Sequence, residues 1–163
     1  MIKIRPIHAN EIQSAKYIIL KVAYGIYGWE GTLEESVQHF EESGELKDVD
    51  NYQQVYVDNR GIFLAVLDDN KLIGTGAIKK LEGNIAELKR LWLLEEYHGQ
   101  KIGYRVFSHL LDFARAHEYK KIRLQTGQEQ ERALRFYTRL GFHEIPNYRD
   151  NKDNISMELS LAS

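Results

Sequence analysis

The sequence contains no cysteine. That absence excludes disulfides, thiolate metal sites and a cysteine acyl-enzyme, and it fits a reducing compartment. Proline is scarce, at 2 of 163 residues. No Pro- or Ser-rich stretch, low-complexity run or internal repeat divides the chain, so one domain spanning residues 1–163 is expected. A dominant charge sign is missing too: 22 Lys and Arg against 24 Asp and Glu leave a formal net charge of −2. There is no polycation to drive sequence-blind binding to nucleic acid or to an anionic membrane. No apolar run approaches the roughly 20 residues a membrane span needs. The opening MIKIRPIHANEIQ turns polar almost at once, without the apolar region of a signal peptide. A cytoplasmic protein with neither a membrane nor a nucleic-acid partner is expected. The six histidines show no HExxH or other metal-ligand spacing, so no metal is expected. A Gly-x-Ser-x-Gly elbow and a GKS or GKT phosphate loop are also lacking.

What remains is an ordinary globular composition, 43% apolar and 28% charged, in a chain long enough for a proper core. Residues 2–5 suit a strand. Asn10 and Gln13 have capping-box spacing, and Ile12, Ala15, Ile19, Val22 and Ile26 follow at helical spacing, predicting a helix over 11–24. Thr32 and Glu35 form a second capping box ahead of a short helix ending near Gly44. Residues 45–57 read as acidic and irregular. The continuous apolar run 62–67 suits a strand covered on both faces. Turns at Asp69–Asn70 and Gly83–Asn84 separate it from strands over 71–80 and 85–94, an antiparallel meander. A helix over 101–117, a strand over 120–126, a helix over 129–139 closed by Gly141, and strands over 142–146 and 154–161 complete the order. The pattern predicts an α/β domain with a mixed, mostly antiparallel sheet and helices on both faces.

The segment YHGQKIGYRV, residues 97–106, sits between the third meander strand and the long helix. Gly99 and Gly103 bracket Lys101. Such a turn is either a tight reversal with a solvated lysine or a phosphate cradle. A helix N-terminus carries unpaired N–H groups and roughly half a positive charge, and glycines leave room for an anion to approach. A dinucleotide fold does not fit. Its glycine loop follows the first strand of a βαβ unit and is followed about 20 residues later by an acid, where this chain has Lys120, Lys121 and Arg123.

ELKRLWLLEEYHGQKIG (87–103) resembles the acyl-CoA-binding motif of the GNAT superfamily of N-acyltransferases, a strand, an Arg/Gln-x-x-Gly-x-Gly/Ala loop and a helix. ERALRFYTRLGFHEI (131–145) resembles that family's later motif, Ala-x-x-x-Tyr closed by Leu-Gly-Phe. The two together cover residues 71–145; the first half agrees by element order. His98 stands at the family's Arg/Gln position, Lys101 at its central glycine and Gln130 where asparagine is common. With its β-carbon, Lys101 is expected to take a helical backbone, since positive φ would strain the loop and misplace its amides. The resemblance implies acetyl-CoA as co-substrate. The amides of Gly99, Gln100, Lys101, Ile102, Gly103 and Tyr104 would hold its pyrophosphate, with His98 also among the cofactor-binding residues. The backbone of Leu91, Trp92 and Leu93 would pair with the pantetheine arm as an added strand, and Gln130 would contribute a further contact. It also implies direct acetyl transfer to a primary amine in a ternary complex.

Such a transfer needs a neutral amine, whose free pKa is near 10, and a protonated leaving thiolate, pKa about 8.5. The motif tyrosine falls on Tyr137, the expected acid; a tyrosine on an apolar helix face also suits plain core packing. Glu87, opening the strand that would meet the cofactor, is the expected base acting through water; the alternative is a solvated glutamate at a strand end. Tyr24, Tyr27 and Trp29 stand at the join of the first two helices, where the resemblance places the acceptor site; Tyr24 and Trp29 are expected to border a small-molecule or peptide amine, by cation–π caging or as simple packing. Glu41, Glu42, Glu45, Asp48 and Asp50 would attract a cationic amine or form a solvated face. Burial of the sheet edge in a homodimer is possible. A non-catalytic acyl-CoA sensor is the alternative function. A nucleic-acid surface through Lys120, Lys121, Arg123, Arg132, Arg135 and Arg139 is disfavoured by the interleaved Glu129 and Glu131.

Overall fold

The computed structural model describes residues 1–150 and 153–161. Its elements are β1 (Ile2–Pro6), α1 (Ile12–Tyr27), α2 (Leu33–Ser43), the short helices α3 (Lys47–Asp50) and α4 (Tyr52–Val55), β2 (Ile62–Asp68), β3 (Lys71–Glu82), β4 (Ile85–Leu93), α5 (Ile102–Ala116), β5 (Lys121–Gly127), α6 (Glu131–Arg139), β6 (His143–Ile145) and β7 (Asn154–Ser160). One seven-stranded sheet runs β1-β2-β3-β4-β5-β7-β6. β4 and β5 are parallel, and every other neighbouring pair is antiparallel. The expected α/β class and the meander are both found. No helix among the described residues is long and apolar enough to cross a membrane.

The sheet has a core on each face because its central strands are apolar in both phases. Leu64 and Val66 of β2 join Ile78 of β3 and Val106 and Leu110 of α5. Phe63, Ala65 and Leu67 face the other way, toward Ala15 and Ile19 of α1 and Tyr56. Period-2 alternation within a continuous apolar run produces this two-sided burial.

Two expectations at the N-terminal half are corrected. Asn10 and Gln13 form no capping box. Glu11 organises the start of α1: its carboxylate accepts the His8 N–H at 2.8 Å and two Arg5 guanidinium nitrogens at 2.9 and 2.7 Å. The helix then runs through Gly25 and ends at Gly28, which takes φ 61° as a left-handed terminator. Residues 45–57 are not irregular. They form two short helices, fastened from outside by Arg90 of β4, whose Nε and Nη2 reach Asp48 at 3.0 and 2.7 Å. Tyr56 donates its hydroxyl to the same carboxylate at 2.6 Å. The Thr32–Glu35 capping box is present as expected, with bonds of 3.1 and 3.2 Å.

Candidate active site

The parallel ladder between β4 and β5 holds only over Ile85–Glu87 and Lys121–Arg123. Beyond Glu87 the strands part, and the cause lies in β4. Its alternation slips: Ala86 and Leu88 enter the α5-side core, and so do Leu91 and Leu93. The extra residue is Arg90, at φ 57°, and the register against β3 shifts there. A bulge bends its strand and strengthens the local twist. The buried Thr75 hydroxyl fixes it, donating to the Arg90 carbonyl at 2.6 Å.

On the α5 side the gap widens into a cleft of about 910 Å³. Leu91, Trp92, Leu93, His98, Gly99, Lys101, Ile102, Gly103, Tyr104 and Gln130 all line it. Sequence reasoning therefore brought most of its cofactor residues to one place. Gln100 is exposed and stands outside the lining. His98 spends its Nε2–H on the Leu93 carbonyl, 2.9 Å away, so its ring ties the loop to the end of β4.

Lys101 departs from the expected backbone. It adopts φ 63° and ψ 16°, the left-handed conformation of the glycine it replaces. Single residues of this kind cost about 1 kcal/mol. The strain does not displace the loop from the cleft, since both Lys101 and Gly99, at φ 83°, line it. No side chain caps α5. Its first backbone bond is Arg105 N–H to the Lys101 carbonyl, 3.2 Å, which leaves the amides of Ile102, Gly103 and Tyr104 without helical partners. Arg132, Arg135 and Arg139, three and four apart on α6, line the same cleft. Among the described residues the side chains of these arginines and of Lys101 make no hydrogen bond or ion pair. The basic residues that the sequence groups together are thereby split, because Lys121 and Arg123 pair with Glu158 at 3.4 and 2.7 Å.

Tyr137 is only 6% exposed, its ring edge-on to Phe136 and Phe142. Tyr137 stands next to Phe136 of the cleft lining without being part of that lining itself, and among the described residues its hydroxyl makes no hydrogen bond. Every fully buried polar side-chain atom among the described residues has a partner, so this oxygen must touch accessible surface. Burial pushes the phenol above its ordinary pKa, which keeps the proton on.

Glu87 is not a solvated strand end. It is 1% exposed and lies on the face opposite Ala86 and Leu88. Arg149 binds it through both guanidinium nitrogens, Nη2 to Oε1 at 2.8 Å. Tyr148 donates to Oε2 at 2.8 Å, and Lys79, its cross-strand partner, stands 3.9 Å away. Nothing in the sequence pattern points to Tyr148 and Arg149, which lie 61 and 62 positions further on. Tyr24 and Trp29 are spoken for by packing. Tyr24 donates to the Gly31 carbonyl at 2.6 Å, and Trp29 lies between Tyr27 and Phe40, with centroids 5.8 and 4.8 Å away. Tyr27, the third aromatic of that join, receives the Gln130 amide at 2.8 Å and bridges the end of α1 to the start of α6. Of the acidic run, Glu41 and Asp50 pair with buried Lys16 at 2.5 and 2.9 Å, and Asp48 serves Arg90. Three of the five acids thus brace the fold, while Glu42 and Glu45 remain on an exposed face.

The fold has close counterparts. An acetyltransferase of the GNAT family from Staphylococcus aureus Mu50 superposes with a TM-score of 0.83 at 20% identity, covering 99% of this chain and 100% of that one. The PaiA N-acetyltransferase of Thermoplasma acidophilum, solved with coenzyme A, gives 0.82 at 22%, covering 98% and 99%. An acetyltransferase from Streptococcus agalactiae gives 0.79 at 21%, covering 98% of each. At such identities the likeness speaks for the fold. Among curated proteins none matches by sequence. The sequence model of the acetyltransferase (GNAT) family matches residues 29–142, a span holding the parted strands, the uncapped helix and Tyr137. The chain therefore belongs to the GNAT acetyltransferase family.

Proposed function

We propose that the chain is one N-acetyltransferase domain that moves an acetyl group from acetyl-CoA to a primary amine directly, within a ternary complex. One observation carries this reading. Three unpartnered helix amides and, among the described residues, four unpaired cations gather in a cleft that also holds Glu129 and Glu131 and whose β4 and α5 walls carry apolar side chains such as Leu91, Leu93, Ile102 and Val106. That is the complement of a polyphosphate joined to an uncharged tail.

Acetyl-CoA, when bound, supplies the acetyl group activated as a thioester. The residues of the chain do the rest. Ile102, Gly103 and Tyr104 offer their amides to the diphosphate, and Lys101, Arg132, Arg135 and Arg139 offset its charge. The open edge of β4 at Leu91 and Trp92 offers backbone groups to an amide-containing arm. Tyr137 gives its proton to the departing sulfur as the C–S bond breaks and the C–N bond forms. The amine must lose a proton, and Glu87 is the carboxylate at the apex of the gap that would receive it through water. Arg149 and Tyr148 keep Glu87 ionised for that role. A hydroxyl free of any structural bond supports turnover at Tyr137 over an acyl-CoA sensor.

Thermal-shift titration with CoA and acetyl-CoA tests the reading. Ligand at 100 times its dissociation constant adds about 2.7 kcal/mol of stability. Unshifted unfolding with either compound at millimolar concentration would overturn it.

A further inference from the structure

The cleft for the acyl donor opens on the α5 and α6 side of the sheet. If it is filled, the amine has to arrive from the opposite side, where Glu87 and Lys89 project before the bulge. That side is rich in positive charge. Lys79, Lys89, Arg90 and Arg149 share the carboxylates of Glu87 and Asp48, while the neighbouring Glu158 and Glu82 are taken by Arg123 and Lys121. Asp48 is taken by Arg90 and Glu87 by Arg149. Lys89 is left over. It is half-buried and, among the described residues, makes no hydrogen bond or ion pair. Glu87, Asp48, Arg90 and Arg149 are all near enough to act on it electrostatically.

A partly desolvated ammonium without a partner is costly unless an anion joins it. Burial is the main influence lowering the pKa of Lys89, opposed by Glu87 and Asp48 without full compensation. Of the acids that would draw in a polycation, Glu41 and Asp50 are consumed by Lys16 and Asp48 by Arg90, which leaves Glu42 and Glu45 on the exposed surface.

Resting on the transferase reading, we propose that Lys89 is the anchor for a carboxylate carried by the acceptor. The acceptor is then an amino-acid-like molecule, with a primary amine a few bonds from a carboxylate, in preference to a diamine or polyamine. The carboxylate seats against Lys89 on the α1 side of β4. The amine, deprotonated, is thereby directed to the apex of the strand gap beside Glu87.

The test compares initial rates with L-amino acids against the amines that lack only their carboxylate, and against diaminobutane. The carboxylated member of each pair should show kcat/KM at least about tenfold higher, the range of one hydrogen bond to a charged group. Lys89→Met, which keeps the stem, should collapse that ratio toward one by raising KM for the carboxylated member. Lys89→Arg should restore most of it. Preference for diaminobutane, or a ratio unchanged by Lys89→Met, would overturn the proposal. Acetyl-CoA titration of wild type and Lys89→Met by thermal shift separates this failure from the other. A retained shift leaves the transferase reading intact whatever the acceptors show, and a missing shift in the wild type removes that reading itself.

Discussion

Arg149 closes over Glu87 from 62 positions away, its two terminal nitrogens on the two carboxylate oxygens. Burial is the largest influence on Glu87 and acts upward. The Arg149 bonds, the charge of Lys89 and the Tyr148 hydroxyl together outweigh it and hold the carboxyl below its ordinary pKa. Glu87 is thus fully ionised at neutral pH yet a weak proton acceptor while clamped. Arg149 itself is 40% exposed, so the clamp can open without unfolding the sheet.

Replacing Arg149 by Met should remove the largest downward influence on Glu87 and leave only Lys89 and Tyr148 to oppose burial. If Glu87 is the base, the acid limb of kcat/KM against pH then moves to higher pH, because the active carboxylate is protonated sooner. Loss of the guanidinium partner should cost about 2 kcal/mol, less than breaking a fully enclosed pair, because Arg149 reaches solvent and Lys79 and Tyr148 stay beside Glu87. Glu87→Gln should remove the limb altogether. An acid limb at the same pH in wild type and both variants would free Glu87 from any part in proton transfer.

Tyr137→Phe isolates one oxygen. The ring packs between Phe136 and Phe142 and the hydroxyl has no structural bond, so stability should stay within about 0.5 kcal/mol, as where no special interaction is lost. The acetyl-CoA shift should also persist. Turnover should fall about 100-fold, the usual contribution of a positioned acid. A variant turning over at the wild-type rate with its best acceptor would exclude Tyr137 from the chemistry.

Glu11 gives a pH signature away from the site. Its Arg5 bonds lower its pKa from 4.5 to about 2. The folded value is depressed, so its stabilisation is fully present above the unfolded value and is lost as pH falls from about 4.5 toward about 2. Glu11→Gln should cost about 1 kcal/mol at pH 7, after allowance for partial exposure and screening. The deficit should shrink toward nothing near pH 2, as read from urea midpoints.

How much of this was legible in the sequence depends on distance along the chain. The Thr32–Glu35 box, the two-sided strand 62–67 and the turn at 97–103 rest on neighbours, and their residues announce them. The start of α1 does not, because Arg5 on β1 selects Glu11 over the local pairing of Asn10 with Gln13. Residues 45–57 have weak helical signals and are held by Arg90, some 42 positions away. The bulge left one readable trace, apolar positions at 86 and 88 followed by 91 and 93, a slip in period. Lys89 on its strand and Arg149 in the connection between β6 and β7 left none, since a charged residue looks the same in sequence whether it is paired across the fold or waiting for a ligand.

The phosphate cradle makes the sharpest forecast, because its residues can be separated by backbone state. Gly103 lies in the first turn of α5 without a positive φ, and a β-carbon there would meet only Phe136, at 3.7 Å, an ordinary contact. Gly103→Ala should therefore stabilise the unliganded protein by about 0.5–1 kcal/mol, the helix preference for alanine. Its methyl group nonetheless intrudes where an anion must approach the amides, so the thermal shift with CoA should drop sharply. Gly99→Ala behaves in reverse. A β-carbon there has nothing within 4 Å, but φ is +83°, so the cost is conformational, about 1 kcal/mol, and falls on stability first. Lys101→Gly removes both strain and charge. The relief at φ 63° roughly cancels the entropy glycine adds to the unfolded chain, leaving stability near wild type. CoA affinity should weaken several-fold at low salt and less at high salt, since an exposed charge is screened. If Gly103→Ala gains stability and keeps its full CoA shift, the N-terminus of α5 is not where the diphosphate sits.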